Sequence, residues 1–160
     1  MPRHLSALST AALYLIAACS TPGSRDAATD SMPDSVSAAA DAGPGLHAIL
    51  SVDSTTLGPG DTIRFAMRVV NGTADPAVLE FTSTQRVDLW ITRPDGESVY
   101  TWSMDKLFGQ MMGQDSVAPG DTLEFRETAP APAQPGEYRL RGAVTASNHD
   151  LADTATVMVR

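Results

Sequence analysis

From Leu46 onward, apolar and polar residues alternate in short runs separated by Gly, Pro and Asp. Residues 62–70 show it most cleanly: Ile63, Phe65, Met67 and Val69 fall on one face, Arg64 and Arg68 on the other. A period of two is that of a half-buried strand. The same reading predicts strands over 48–52, 78–81, 87–92, 98–102, 123–127, 138–144 and 155–159. One stretch departs from it. In 106–112 the apolar positions are Leu107, Phe108, Met111 and Met112, the spacing of a turn or two of helix. An apolar helical face there would plug one end of the domain; the alternative is an exposed, adaptable methionine surface. Many short strands and a single helical connection predict an all-β, antiparallel immunoglobulin-like β-sandwich.

The turn residues refine this picture. Asn71-Gly72 and Asp95-Gly96 are hairpin signals, because both dipeptides tolerate positive φ. The segment Leu57-Gly58-Pro59-Gly60-Asp61-Thr62-Ile63-Arg64-Phe65 echoes Val117-Ala118-Pro119-Gly120-Asp121-Thr122-Leu123-Glu124-Phe125. In both, proline sets the first corner of a type II turn and glycine takes the φ > 0 corner. Gln134-Pro135-Gly136-Glu137-Tyr138 is a third version of the pattern. Tyr138 is placed to tie a late strand to the connection before it, as in a tyrosine corner.

The first 45 residues are of another kind. Basic Met1-Pro2-Arg3-His4, an apolar run to Ile16 and small residues before Cys19 have the form of a lipoprotein signal peptide over 1–18. Cys19, the chain's one cysteine, is the expected lipidation site. The run is interrupted by Ser6, Ser9 and Thr10, and is too short for a transmembrane helix. Residues 19–45 are rich in Ser, Thr, Ala, Pro, Gly and Asp, and predict a disordered tether with a span of roughly 30 Å. Residues 46–160 are then one folded domain, with no disulfide to hold it. These features predict a cell-envelope protein, lipid-anchored outside the cytoplasmic membrane. Ser20 after the cysteine is compatible with the outer membrane.

Charge and residue inventory narrow the function. The formal net charge is −8, and loss of Arg3 with the signal makes it more negative still. Without clustered Lys and Arg, nucleic acid is not an expected partner. His47 and His149 lie at opposite ends of the folded segment, with no nucleophile elbow, phosphate loop or dinucleotide fingerprint. With no further cysteine, no zinc site is legible. Asn148, Asp150 and Asp153 offer oxygen ligands for weak calcium binding, but read more simply as a polar hairpin loop. The chain is expected to be no enzyme and to need no cofactor or metal.

The middle of the domain reads Phe81-Thr82-Ser83-Thr84-Gln85-Arg86-Val87-Asp88-Leu89-Trp90-Ile91, then Asp95-Gly96, Val99-Tyr100-Thr101-Trp102-Ser103 and Phe108. The Pro119-Gly120 turn, Phe125 and Pro135-Gly136-Glu137-Tyr138 follow. This order resembles the BsuPI-type intracellular proteinase inhibitor family over about residues 65–144. Phe81, Ser83, Gln85, Asp88, Trp102, Ser103, Phe108 and Tyr138 carry the pattern. The resemblance implies a small Ig-like domain and, by analogy with founding members, a subtilisin-like serine protease as partner. It supplies no reactive site. Gln85, Asp88 and Ser103 are expected to clamp a strand crossing, and Trp90 and Trp102 to lie in the core. For inhibition by occlusion, the candidate surfaces are residues 102–114 and the proline-rich 128–135. The alternative is a structural or assembly module that pairs with another envelope protein.

Overall fold

The computed structural model describes residues 44–160. The signal segment, Cys19 and nearly all of the tether lie outside the described residues. Ten strands follow in order: β1 (Leu46–Val52), β2 (Thr56–Leu57), β3 (Thr62–Asn71), β4 (Ala77–Phe81), β5 (Val87–Thr92), β6 (Ser98–Thr101), β7 (Gly113–Val117), β8 (Thr122–Pro130), β9 (Gly136–Val144) and β10 (Leu151–Val159). A 3-10 turn at Trp102–Asp105 separates β6 from β7.

The strands form a sheet of order β1-β3-β8, a second of order β2-β10-β9-β5-β6, and a β4-β7 ribbon. All pairings are antiparallel except the short β2–β10 contact. The domain is an immunoglobulin-like β-sandwich. Alternation decides which faces meet. Ile63, Phe65, Met67 and Val69 of β3 are buried, as are Leu89 and Ile91 of β5, Tyr138 and Leu140 of β9, and Val157 and Val159 of β10. Each contributes on the order of 2 kcal/mol by leaving water. At Gly142 of β9 a methyl group would lie 3.1 Å from Leu50 Cδ1 of β1 and would collide with Met67 Sδ of β3. The two sheets therefore meet at a glycine.

The echoed segments make matching turns. Gly60 and Gly120 have φ of 75° and 76°, and the amides of Asp61 and Asp121 donate to the carbonyls of Gly58 and Ala118. These are type II turns. The third version differs: Gly136 has φ 150°, and the Gln134 carbonyl accepts the Tyr138 hydroxyl at 2.9 Å.

Three sequence expectations need correction. Asp95-Gly96 closes the β5–β6 hairpin, but Asn71-Gly72 closes none, since β3 pairs with β1 and β8. Asn71 is fully buried; its Nδ2 donates to the carbonyls of Asp75 and Val117, and its Oδ1 accepts from Thr73. Its side chain, not its turn propensity, steers the crossover to β4. Residues 106–112 form no helix; the helical turn lies just before them. Trp90 is only half-buried, on the outer face of its sheet under the Arg141 guanidinium at 5.2 Å. Trp102 is buried.

Candidate functional site

The segment between the 3-10 turn and β7 presents large apolar side chains to solvent. Met104 is 84% exposed, Leu107 fully so, Met111 66% and Met112 85%. Four such residues in nine positions form a patch that folding does not use. Leu107, Met111 and Met112, placed by helical periodicity on an inward face, face outward because the backbone there is irregular and not helical. The expected apolar plug is reduced to Phe108, which packs against the core.

The loop is fastened at its entry. Asp88 leaves β5 on the outer face, yet is 93% covered, at 7% exposure. Its Oδ1 accepts the amides of Leu89 at 2.8 Å and Ser103 at 3.1 Å, and its Oδ2 accepts the Ser103 hydroxyl at 2.6 Å. A carboxylate with several donors is satisfied in place and holds the 3-10 turn to β5. The neighbouring Trp102 donates from Nε1 to the Thr128 carbonyl at 3.0 Å. Its ring is met by Phe108 at 5.9 Å and by the Lys106 ammonium at 4.5 Å. Burial, followed by the negative charge of Asp105, raises the Tyr100 hydroxyl above its ordinary pKa beside this corner.

A second fastening lies beyond Phe108. Thr84 and Gly109 exchange two hydrogen bonds of 2.9 Å: the Thr84 amide donates to the Gly109 carbonyl, and the Gly109 amide to Thr84 Oγ1. Thr84 is itself held in a tight turn. Ser83 Oγ accepts the Gln85 amide, Gln85 Nε2 donates to the Val87 carbonyl, and Thr145 Oγ1 donates to the Gln85 carbonyl. Arg86 fixes the exit. It lies over the Phe81 ring at 4.2 Å, bonds Asp115 of β7 at 2.8 Å and donates to the Ser83 carbonyl at 2.9 Å.

The residues of the sequence pattern thus fall into two places. Phe81, Ser83, Gln85, Asp88, Trp102, Ser103 and Phe108 gather around the base of the Met104–Met112 loop. Tyr138 lies apart, holding the connection before β9. The pattern did not single out Thr84, Arg86 or Lys106, because a threonine or an arginine beside a strand has no distinctive spacing. The second candidate surface, 128–135, is stitched down. Ala129 and Ala131 are buried, the Ala131 amide donates to the Asp61 carbonyl at 2.7 Å, and Arg93 holds Gln134 at 2.6 Å.

The remaining candidates are absorbed by structure. Asn148 acts as a surrogate strand residue, accepting the Glu80 amide and donating to the Val78 carbonyl of β4. Asp153 accepts the Leu50 amide at 2.8 Å. His47 Nδ1 lies 3.2 Å from the Gly45 carbonyl. Among the described residues no group of three or more His, Cys, Asp or Glu converges as a metal site. Among them, too, no helix is long and apolar enough to cross a membrane.

Sandwich and presented loop together define a small all-β domain of immunoglobulin type with one prominent apolar surface. The family model for BsuPI, intracellular proteinase inhibitor, matches residues 50–149, and the chain belongs to that family. Membership of a proteinase inhibitor family suggests a protease-inhibitor-like function and not an enzyme. Among solved structures, the sporulation control protein Spo0M from Bacillus subtilis is similar at 13% identity and a TM-score of 0.51, over 72% of this chain and 49% of that one. The chain thus spans about half the length of Spo0M, and the likeness is one of fold. The CARDB domain of PF1109 from Pyrococcus furiosus matches at 16% identity and a TM-score of 0.44, over 73% of this chain and 89% of that one. No curated protein matches.

Proposed function

We propose that this protein is a lipid-anchored, extracytoplasmic binding domain that occludes a subtilisin-like serine protease with its Met104–Met112 loop. The observation that carries this reading is the exposure of Met104, Leu107, Met111 and Met112 on a loop fastened at both ends. Exposed apolar side chains lose water on docking, at about 25 cal/mol per Å². A loop already held by Asp88, Trp102 and Thr84 loses little further freedom on binding, so more of that gain becomes affinity. Methionine and leucine adapt to a cleft without needing matched polar partners. Membership of a proteinase inhibitor family supports the class of partner. The anchor is Cys19 and the tether is residues 19–45, which puts the loop within reach of envelope or secreted proteases rather than cytoplasmic ones.

The test is titration of the full chain, in detergent, against a panel of subtilisin-like proteases. Inhibition at micromolar protein or below, lost in a Leu107→Ser/Met112→Ser variant, is the expected result. Unchanged protease activity at every concentration ends this reading. Capture of a non-protease envelope complex through the same loop makes the domain an assembly module instead. Detergent partitioning of the Cys19→Ala variant checks the anchor, with the protein expected to move to the aqueous phase.

A further inference from the structure

We propose that Met104, Met111 and Met112 are oxidation sites that switch the loop from an apolar to a polar docking surface. The inference deepens the docking role given to this loop and rests on it. The chain has seven methionines, and these three fall within nine residues. All three are exposed, at 84%, 66% and 85%. Met67, by contrast, is fully buried between the sheets, against Gly142. Among the described residues, the loop sulfurs meet a diffusing peroxide well before that of Met67.

The chemistry is a two-electron oxygen transfer. A lone pair on Sδ attacks one peroxide oxygen, the O–O bond breaks and the S–O bond forms. The departing hydroxide takes up the remaining proton as water. The thioether becomes a sulfoxide, a polar hydrogen-bond acceptor, and a thiol-dependent methionine sulfoxide reductase reverses the change. A sulfoxide carried into an apolar cleft would have to be desolvated without a partner.

The fold tolerates this change because no fastening of the loop uses a sulfur. Asp88 to Ser103, Trp102 to Thr128 and Phe108, and Thr84 to Gly109 all remain. The same oxidation at Met67 would put a polar group in the core.

Hydrogen peroxide treatment of the full chain, with peptide mass mapping, thermal unfolding and retention on a phenyl hydrophobic-interaction column, tests the switch. Expected are sulfoxides at Met104, Met111 and Met112 well before Met67, an unchanged unfolding midpoint and earlier elution. Reductase treatment should restore the retention. A Met104→Leu/Met111→Leu/Met112→Leu variant should lose much less retention than the parent under the same peroxide treatment. Oxidation of Met67 at the same rate, a midpoint that falls as the loop oxidises, or unaltered retention would overturn the switch. Where the untreated chain inhibits a protease, oxidation should weaken inhibition by about tenfold or more, and an unchanged inhibition constant counts against the switch. A chain that inhibits nothing untreated removes the protease reading alone, because mapping and retention still decide the switch.

Discussion

Asp88 holds Ser103 twice, through the Ser103 amide at 3.1 Å and its hydroxyl at 2.6 Å, across a gap of 15 residues. This contact turns a strand end into the foot of a presented loop. Asp88→Ala leaves the covered amides of Leu89 and Ser103 without their acceptor. The expected loss is about 2–3 kcal/mol of unfolding free energy. Ser103→Ala keeps the amide bond and should lose about 1 kcal/mol. Urea denaturation of both variants checks the ordering, and equal losses would refute it.

Loop residues and clamp residues should separate experimentally. Leu107→Ser and Met112→Ser remove exposed groups, so stability should stay within about 0.5 kcal/mol of the parent. Trp102→Ala removes a buried ring and its hydrogen bond to Thr128, and should lose about 3–5 kcal/mol. Thermal midpoints of the three variants decide this directly.

Gly142 is the point where the facing sheets leave no room for a side chain. Gly142→Ala would push a methyl group onto Met67 Sδ and to 3.1 Å from Leu50 Cδ1. Overpacking of this kind typically costs about 1–3 kcal/mol. Pairing it with Met67→Ala should recover part of the loss relative to the sum of the single changes, as a double-mutant cycle would report.

Glu124 gives the fold a pH dependence of known sign. Arg68 lies opposite it in the β3–β8 register, at 2.5 Å, and Arg126 bonds its other oxygen. The hydrogen bond from Arg68 is the main reason its pKa falls below the ordinary 4.5, with Arg126 adding to it and burial opposing it. A folded-state pKa below the unfolded one contributes stability above the unfolded value, which is lost as pH falls through the folded value. Glu124→Gln should therefore be less stable than the parent at pH 7, and the gap should close as pH drops below 4.5. Urea midpoints at neutral and acid pH measure this, and a gap independent of pH would exclude the ion pair as its source.

Much of the sandwich was legible because its signals are local. Alternation in Ile63, Phe65, Met67 and Val69 assigns β3 and its buried face without reference to any other strand. Pro59-Gly60 and Pro119-Gly120 announce their turns through two backbone preferences. The short β2 and the polar β7, Gly113–Val117, were not legible, since each is a strand only by virtue of its partner. Asn71 misled for the same reason: its turn propensity is local, but its buried side chain answers carbonyls at Asp75 and Val117.

The candidate site divides along the same line. Its residues were visible as an ordered pattern from Phe81 to Phe108, but not their convergence on the base of one loop. By itself the sequence determined the faces of the alternating strands and the Pro-Gly turns, which depend on near neighbours in the chain, and also the acidity and the family resemblance. Only the tertiary structure decided that residues 106–112 present their apolar groups instead of burying them. That outcome depends on long-range partners: Asp88 for Ser103, Thr128 for Trp102 and Thr84 for Gly109 hold the backbone in an irregular path where periodicity alone favoured a helix.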